Sequence, residues 1–131
     1  PGKQRIPNPY SLDQNNKMFL VNGYGLKIGS ANFEEFEFCG RVSNRTISVV
    51  FTYELPRVDS KFEAIDDGGI RLLEDVNTVQ GLFYGYNELD IEPSILKVDI
   101  GSTTEVQEVL GESSRYLSMQ ADFQFQIKED L

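Results

Sequence analysis

Residues Val98–Ser113 read VDIGSTTEVQEVLGES, and a looser copy, LKIGSANFEEFEFCGR, occupies Leu26–Arg41. How the chain folds after each Ile-Gly-Ser triplet decides the architecture, because both segments combine cap chemistry with an acidic run. In Val98–Ser113, Ser102 and Glu105 have the spacing of a capping box. Val106, Val109 and Leu110 fall at i, i+3, i+4, and Gly111 supplies a C-terminal stop. In the copy, Asn32 and Glu35 repeat the cap spacing, Phe33 and Phe36 share a face, and Gly40 closes the segment. The two patterns predict two short helices, each entered from a strand.

Strand signals surround them. Ile47, Val49, Phe51, Tyr53 and Leu55 alternate with mostly polar neighbours up to Pro56, the period of a strand with one buried face. Ala121, Phe123, Phe125 and Ile127 alternate with Asp122, Gln124, Gln126 and Lys128 in the same way, and Ile95–Ile100 is a further strand. Lys17–Val21 and Leu26–Ile28 flank Asn22-Gly23, a dipeptide suited to a tight turn. FEAIDDGGIRLL, residues 62–73, reads as two strands around Asp66-Asp67-Gly68, and Val79–Tyr86 as an aromatic-rich strand. Residues 1–16 hold three of the five prolines and read as an irregular lead-in. Residues 17–131 read as one domain, with two degenerate units at about 17–90 and 91–131. The expected fold class is α+β, a mainly antiparallel β-sheet with two short helices packed on one face.

The charge balance narrows function. Twelve Lys and Arg against 21 Asp and Glu leave a net charge of −9, which argues against affinity for nucleic acid through neutralised phosphates and favours steering of a basic protein partner. The chain has no His. That removes Ser-His-Asp and Cys-His nucleophiles and His-bearing zinc sites, and neither a Walker A run nor a GxGxxG is present. No catalytic residues, metal or cofactor are therefore expected, and the chain does not read as an enzyme. Glu63, Asp66 and Asp67 lack the spacing of a calcium loop, and Asn44-Arg45-Thr46 matches a glycosylation acceptor pattern. Cys39, the single cysteine, cannot form an intramolecular disulfide and reads as a core residue. No run approaches the ~20 apolar residues of a membrane helix and no signal peptide is visible at Pro1, so the sequence points away from the membrane and toward the cytoplasm.

The strand, Gly-Ser, Glu-Val, Leu-Gly series of Ile100, Gly101, Ser102, Glu105, Val106, Leu110 and Gly111 resembles the small repeat domains grouped with SmpA/OmlA and the β-lactamase inhibitory protein. Ile28, Gly29, Ser30, Phe36 and Gly40 form the weaker copy. The resemblance implies a protein-binding module without catalysis, of the immunity or inhibitor type and of bacterial origin. On this reading Glu34, Glu35, Glu37, Glu105, Glu108 and Glu112 present acidic faces to the partner, and Tyr24, Tyr84 and Tyr86, each near a glycine, are candidate contact residues. Two alternatives remain open from the sequence. One is a small-molecule or lipid-binding domain with an apolar pocket lined by Phe and Tyr. The other is a structural subunit that forms a homodimer through an exposed strand at Phe123–Ile127.

Overall fold

Alternating apolar residues near the middle and the end of the chain build the centre of one sheet. The computed structural model describes residues 3–12, 18–34, 40–58, 61–83, 95–109 and 114–130. In chain order the elements are β1 (Gln4–Arg5), β2 (Asn22–Glu34), β3 (Gly40–Glu54), β4 (Arg57–Val58), β5 (Lys61–Phe62), α1 (Ile65–Phe83), β6 (Ile95–Thr103), β7 (Gln107–Val109) and β8 (Tyr116–Asp130). The sheet runs β1-β2-β3-β8-β6, with β7 pairing β8 beyond the end of β6, and β4 and β5 form a separate small ribbon. Among the described residues only the short β1–β2 pairing is parallel. The mainly antiparallel α+β expectation is met in class and differs in helices: among the described residues there is one α-helix, of 19 residues.

Neither expected helix after an Ile-Gly-Ser forms in the described residues. Both triplets are β-bulges instead, with register shifts between Ile28 and Ala31 in β2 and between Ile100 and Thr103 in β6. A Cβ on Gly29 would lie 3.0 Å from the Thr46 carbonyl oxygen, and one on Gly101 2.8 Å from that of Asp122, so glycine lets the bulged backbone approach its neighbour closely. Ile28, Ile47, Phe123 and Ile100 form one row across four strands, and the two bulges leave that row in opposite directions. The helix patterns lost to tertiary pairing. β8 pairs with β3 along its whole length, from Gly40↔Asp130 to Glu54↔Tyr116, and the backbone groups on its other side also require partners. Ile95–Thr103, the Thr104 amide (2.9 Å to the Gln120 carbonyl) and Gln107–Val109 supply them. Residues 35–39 and 110–113, including Cys39, Gly111 and Glu112, lie outside the described residues.

The segment expected to be two strands around Asp66-Asp67-Gly68 is the start of α1, and Val79–Phe83 is its end rather than a strand. Asp66 and Asp67 occupy the first turn, where carboxylates suit the helix dipole, and the amides of Asp67 and Gly68 both donate to the Ala64 carbonyl, at 3.1 and 3.2 Å. Leu72 and Val76 are fully buried, with Gly68 on the same side. Gly68 is the point of closest approach: a Cβ there would lie 2.6 Å from Leu55 Cδ2 and 2.8 Å from Leu117 Cδ1. This packing need outweighs the roughly 1 kcal/mol that glycine costs a helix interior. Met18–Phe19 form a helical turn rather than the expected strand, and Asn22-Gly23 lie inside β2.

α1 covers one face of the sheet. Val49, Phe51, Val98, Leu117, Met119, Ala121, Phe123 and Phe125 meet Leu72 and Val76 there, and Phe83 closes the helix end with ring centroids 5.0 Å from Phe123 and 5.6 Å from Phe125. Each such burial is worth about 1.5–3 kcal/mol relative to exposure. The opposite face is mixed. At one end the N-terminal lead-in packs Ile6 and Leu20 against Val50 and Tyr116. Beyond it the face is a polar ladder: Ser48 donates to Asp122 at 2.6 Å, Gln120 to Asp122 at 2.9 Å, Lys27 to Gln120 at 2.9 Å and Gln124 to Thr46 at 2.7 Å. Among the described residues, no helix is long and apolar enough to cross a membrane.

Candidate partner-binding groove

β3 points Phe51 and Tyr53 toward the helix side, where Phe51 is buried at 6% exposure and Tyr53 is half-buried, and α1 leaves a channel open beside them. The result is an open groove of about 690 Å³. Phe51 and Tyr53 lie in it, with Arg71, Glu74, Asp75, Thr78, Val79 and Leu82 from successive turns of α1, and with Lys3, Val21, Asn22, Glu54 and Pro56. Leu82 is 66% exposed and Val21 43%, so the apolar lining continues out to the rim.

Cations of the chain itself sit over both rings. Lys3 Nζ lies 5.4 Å from the Phe51 ring centre, donates to Asn22 Oδ1 at 2.7 Å and pairs with Asp75 Oδ2 at 2.7 Å. Lys3 thereby ties the lead-in to α1. The Arg71 guanidinium lies 5.4 Å from the Tyr53 ring centre and 4.0 Å from Glu63 Oε1, while the Tyr53 hydroxyl donates to Glu63 Oε2 at 3.3 Å. Burial, and after it the Glu63 carboxylate, hold the Tyr53 hydroxyl above its usual range, against the opposing pull of Arg71. Glu54 and Glu74 have no cation within ion-pair distance among the described residues. The groove therefore offers aromatic and aliphatic surface beside two carboxylates with spare acceptor capacity. Among the described residues no group of three His, Cys, Asp or Glu side chains could hold a metal ion.

The chain matches no protein-family model and no curated protein sequence.

The residues read from the sequence fall elsewhere. Glu105 is exposed between β6 and β7, and Glu108 lies on β7. Glu108 accepts from Arg115 Nε and Nη2, each at 2.9 Å, and these bonds lower its carboxyl pKa. Tyr24 is half-buried on β2 against the core. Glu34 ends β2, its side chain outside the description, while Glu35, Glu37, Tyr84, Tyr86 and Glu112 lie outside the described residues. The expected acidic helix faces are thus strands and connections where described. Phe123–Ile127 has no free edge, being paired with β3 on one side and β6 on the other. The groove residues were missed because Phe51 and Tyr53 carry the same alternating signal as the buried Val49. Only the path of α1, whose first turns read as strands, opens the groove beside the half-buried Tyr53.

Proposed function

We propose that this protein is a non-catalytic protein-binding module, and that the groove between α1 and β3 takes an extended segment of a basic partner. Such a segment places an apolar side chain beside Tyr53, Val79 and Leu82 and a Lys or Arg between Glu54 and Glu74. The observation that carries the reading is the pairing of this apolar floor with two carboxylates that lack a cation among the described residues. The net charge of −9 adds steering of a basic partner, which speeds encounter more than it deepens affinity. An immunity or inhibitor role, in which the bound segment belongs to a basic enzyme, is the specific form that the acidity favours.

The test is a pull-down from lysate of the source organism with three baits: the native chain, Glu54→Lys/Glu74→Lys, and Glu105→Lys/Glu108→Lys. The expected result is one basic protein retained at low salt by the native and Glu105/Glu108 baits, and lost from the Glu54/Glu74 bait. Equal retention by all three would remove the groove from the reading. A small apolar ligand is the second reading, favoured by a volume within the ~300–1,000 Å³ of ligand pockets. Native mass spectrometry of the purified chain distinguishes it by a bound mass of a few hundred daltons or more.

A further inference from the structure

Lys3 already occupies the groove in the manner assigned to a partner's cation. Its Nζ stands 5.4 Å from the Phe51 ring centre, donates to Asn22 Oδ1 at 2.7 Å and pairs with Asp75 Oδ2 at 2.7 Å. An ammonium has three donors and no acceptor, so a ring face, an amide oxygen and a carboxylate form a seat that fits it. The walls of that seat are fixed by the fold. Asn22 lies on β2 opposite Tyr53, Phe51 is 6% exposed on β3, and Asp75 stands on α1 next to the fully buried Val76. The occupant is the movable part, an ammonium on a flexible four-carbon stem.

Two observations separate this contact from a structural clamp. The lead-in is anchored without it: Ile6 is 1% exposed, packs with Leu20, Val50 and Tyr116, and donates its amide to the Tyr24 carbonyl at 2.8 Å. Swinging the Lys3 side chain away therefore leaves the lead-in in place. The ion pair is also open to solvent, with the Lys3 side chain 22% and the Asp75 side chain 30% exposed, and partly exposed pairs add little net stability. Asp75 follows Glu74 on α1, and Glu54 lies in the same lining. A cation drawn to Glu54 and Glu74 thus arrives beside a third carboxylate that the chain's own lysine has taken.

We infer that Lys3 is a built-in competitor for the groove: it fills a lysine seat made by Phe51, Asn22 and Asp75, and a lysine of the basic partner binds there by displacing it. This inference rests on the groove reading above and adds its regulation. A tethered side chain competes at an effective concentration on the order of millimolar, so weak outside lysines are turned away. Each tenfold excess of the filled seat over the empty one weakens the apparent affinity of an outside lysine about tenfold. A partner that also engages Glu54 and Glu74 overcomes this competition, which restricts the groove to segments carrying more than one cation.

The experiment is an NMR titration of the full chain with the peptide acetyl-Lys-Leu-Lys-amide, and with acetyl-Gln-Leu-Gln-amide as the uncharged control. In the native chain the ring current of Phe51 shields the Lys3 ε-methylene protons, and the basic peptide is expected to move them to the position of a free lysine. Lys3→Met, which keeps the stem and empties the seat, is expected to bind the basic peptide several-fold more tightly than the native chain. Lys3→Met/Asp75→Asn is expected to lose that gain. Arg5→Gln removes the same charge from an exposed residue of β1 outside the groove lining, and is expected to bind as the native chain does. Hydrogen exchange at the Ile6 amide checks that the lead-in stays docked in each variant. A Lys3 signal that stays put while the native chain binds peptide, no gain in Lys3→Met, or an equal gain in Arg5→Gln would each overturn the competitor. Glu54→Lys/Glu74→Lys tests the reading beneath it. If that variant loses peptide binding while Lys3→Met gains none, the groove stands and the competitor fails; if neither the native chain nor Lys3→Met binds the basic peptide, both fall.

Discussion

Along β8 successive residues face two different environments. Leu117, Met119, Ala121, Phe123 and Phe125 lie in the dry layer beneath α1, while Ser118, Gln120, Asp122, Gln124 and Gln126 look toward the lead-in and the polar ladder. The difference teaches where stability and recognition are separated in this molecule. The helix face derives its energy from exclusion of water, whereas the ladder exchanges hydrogen bonds with water for hydrogen bonds within the protein at little net gain. The groove lies where the first environment meets solvent, at the margin of helix cover.

The largest test of that contrast is a pair of truncations at adjacent positions. Phe123 is 1% exposed and stacked against Phe83, and Phe123→Ala is expected to cost about 3–5 kcal/mol in denaturant unfolding. Gln124→Ala, on the exposed side, is expected to stay within about 0.5 kcal/mol. Comparable losses would mean that the polar face carries more of the fold than its geometry implies.

Glycines of one helix sharpen the comparison. Overpacking at Gly68, against the buried Leu55 and Leu117, costs roughly 1–3 kcal/mol, and the helix gain from alanine returns about 1 kcal/mol. Gly68→Ala is therefore expected to lose up to about 2 kcal/mol net. At Gly69 the nearest atom to an added Cβ is Val106 Cγ2 at 3.4 Å, so Gly69→Ala is expected to gain up to about 1 kcal/mol. Thermal unfolding of both variants reads the sign directly.

The smallest effect is at the margin itself. Tyr53 has a hydroxyl pKa raised above 10.0 by burial and by Glu63, so the native state holds that proton more tightly than the unfolded chain does. The contribution is fully present below the unfolded value and is lost as pH rises through the folded value. Tyr53→Phe is expected to flatten the alkaline limb of the stability profile, measured by denaturant unfolding above pH 9. An unchanged limb would place Tyr53 in a more open environment than the groove provides.

The two longest strands were legible because alternation over Ile47–Leu55 and Ala121–Ile127 leaves only one register that buries the aromatic residues. α1 was legible in part. Leu72, Val76, Val79 and Phe83 have helical spacing, yet Asp66-Asp67-Gly68-Gly69 has the composition of a turn, and that local signal masked the periodicity. The groove was not legible, because its residues come from the lead-in, β3 and α1, and their meeting is a property of the helix's path. The two Ile-Gly-Ser triplets are an instructive middle case: their repetition was visible, but its meaning as a pair of bulges depends on which strands lie alongside.

By itself the sequence determined the fold class, the buried faces of the central strands, the acidity of the chain and the lack of histidine chemistry, since these follow from composition and from the two-residue period of a strand. Tertiary structure decided that β2 runs on past Gly29 to Glu34 and that Gly101 is followed by the end of β6 and by β7, and that Asp66-Asp67-Gly68-Gly69 opens a helix instead of closing a hairpin. The physical reason is one of scale. Caps and local propensities are worth about 1 kcal/mol or less. A central strand with one side of its backbone unpaired, or a sheet face left without cover, costs several times more.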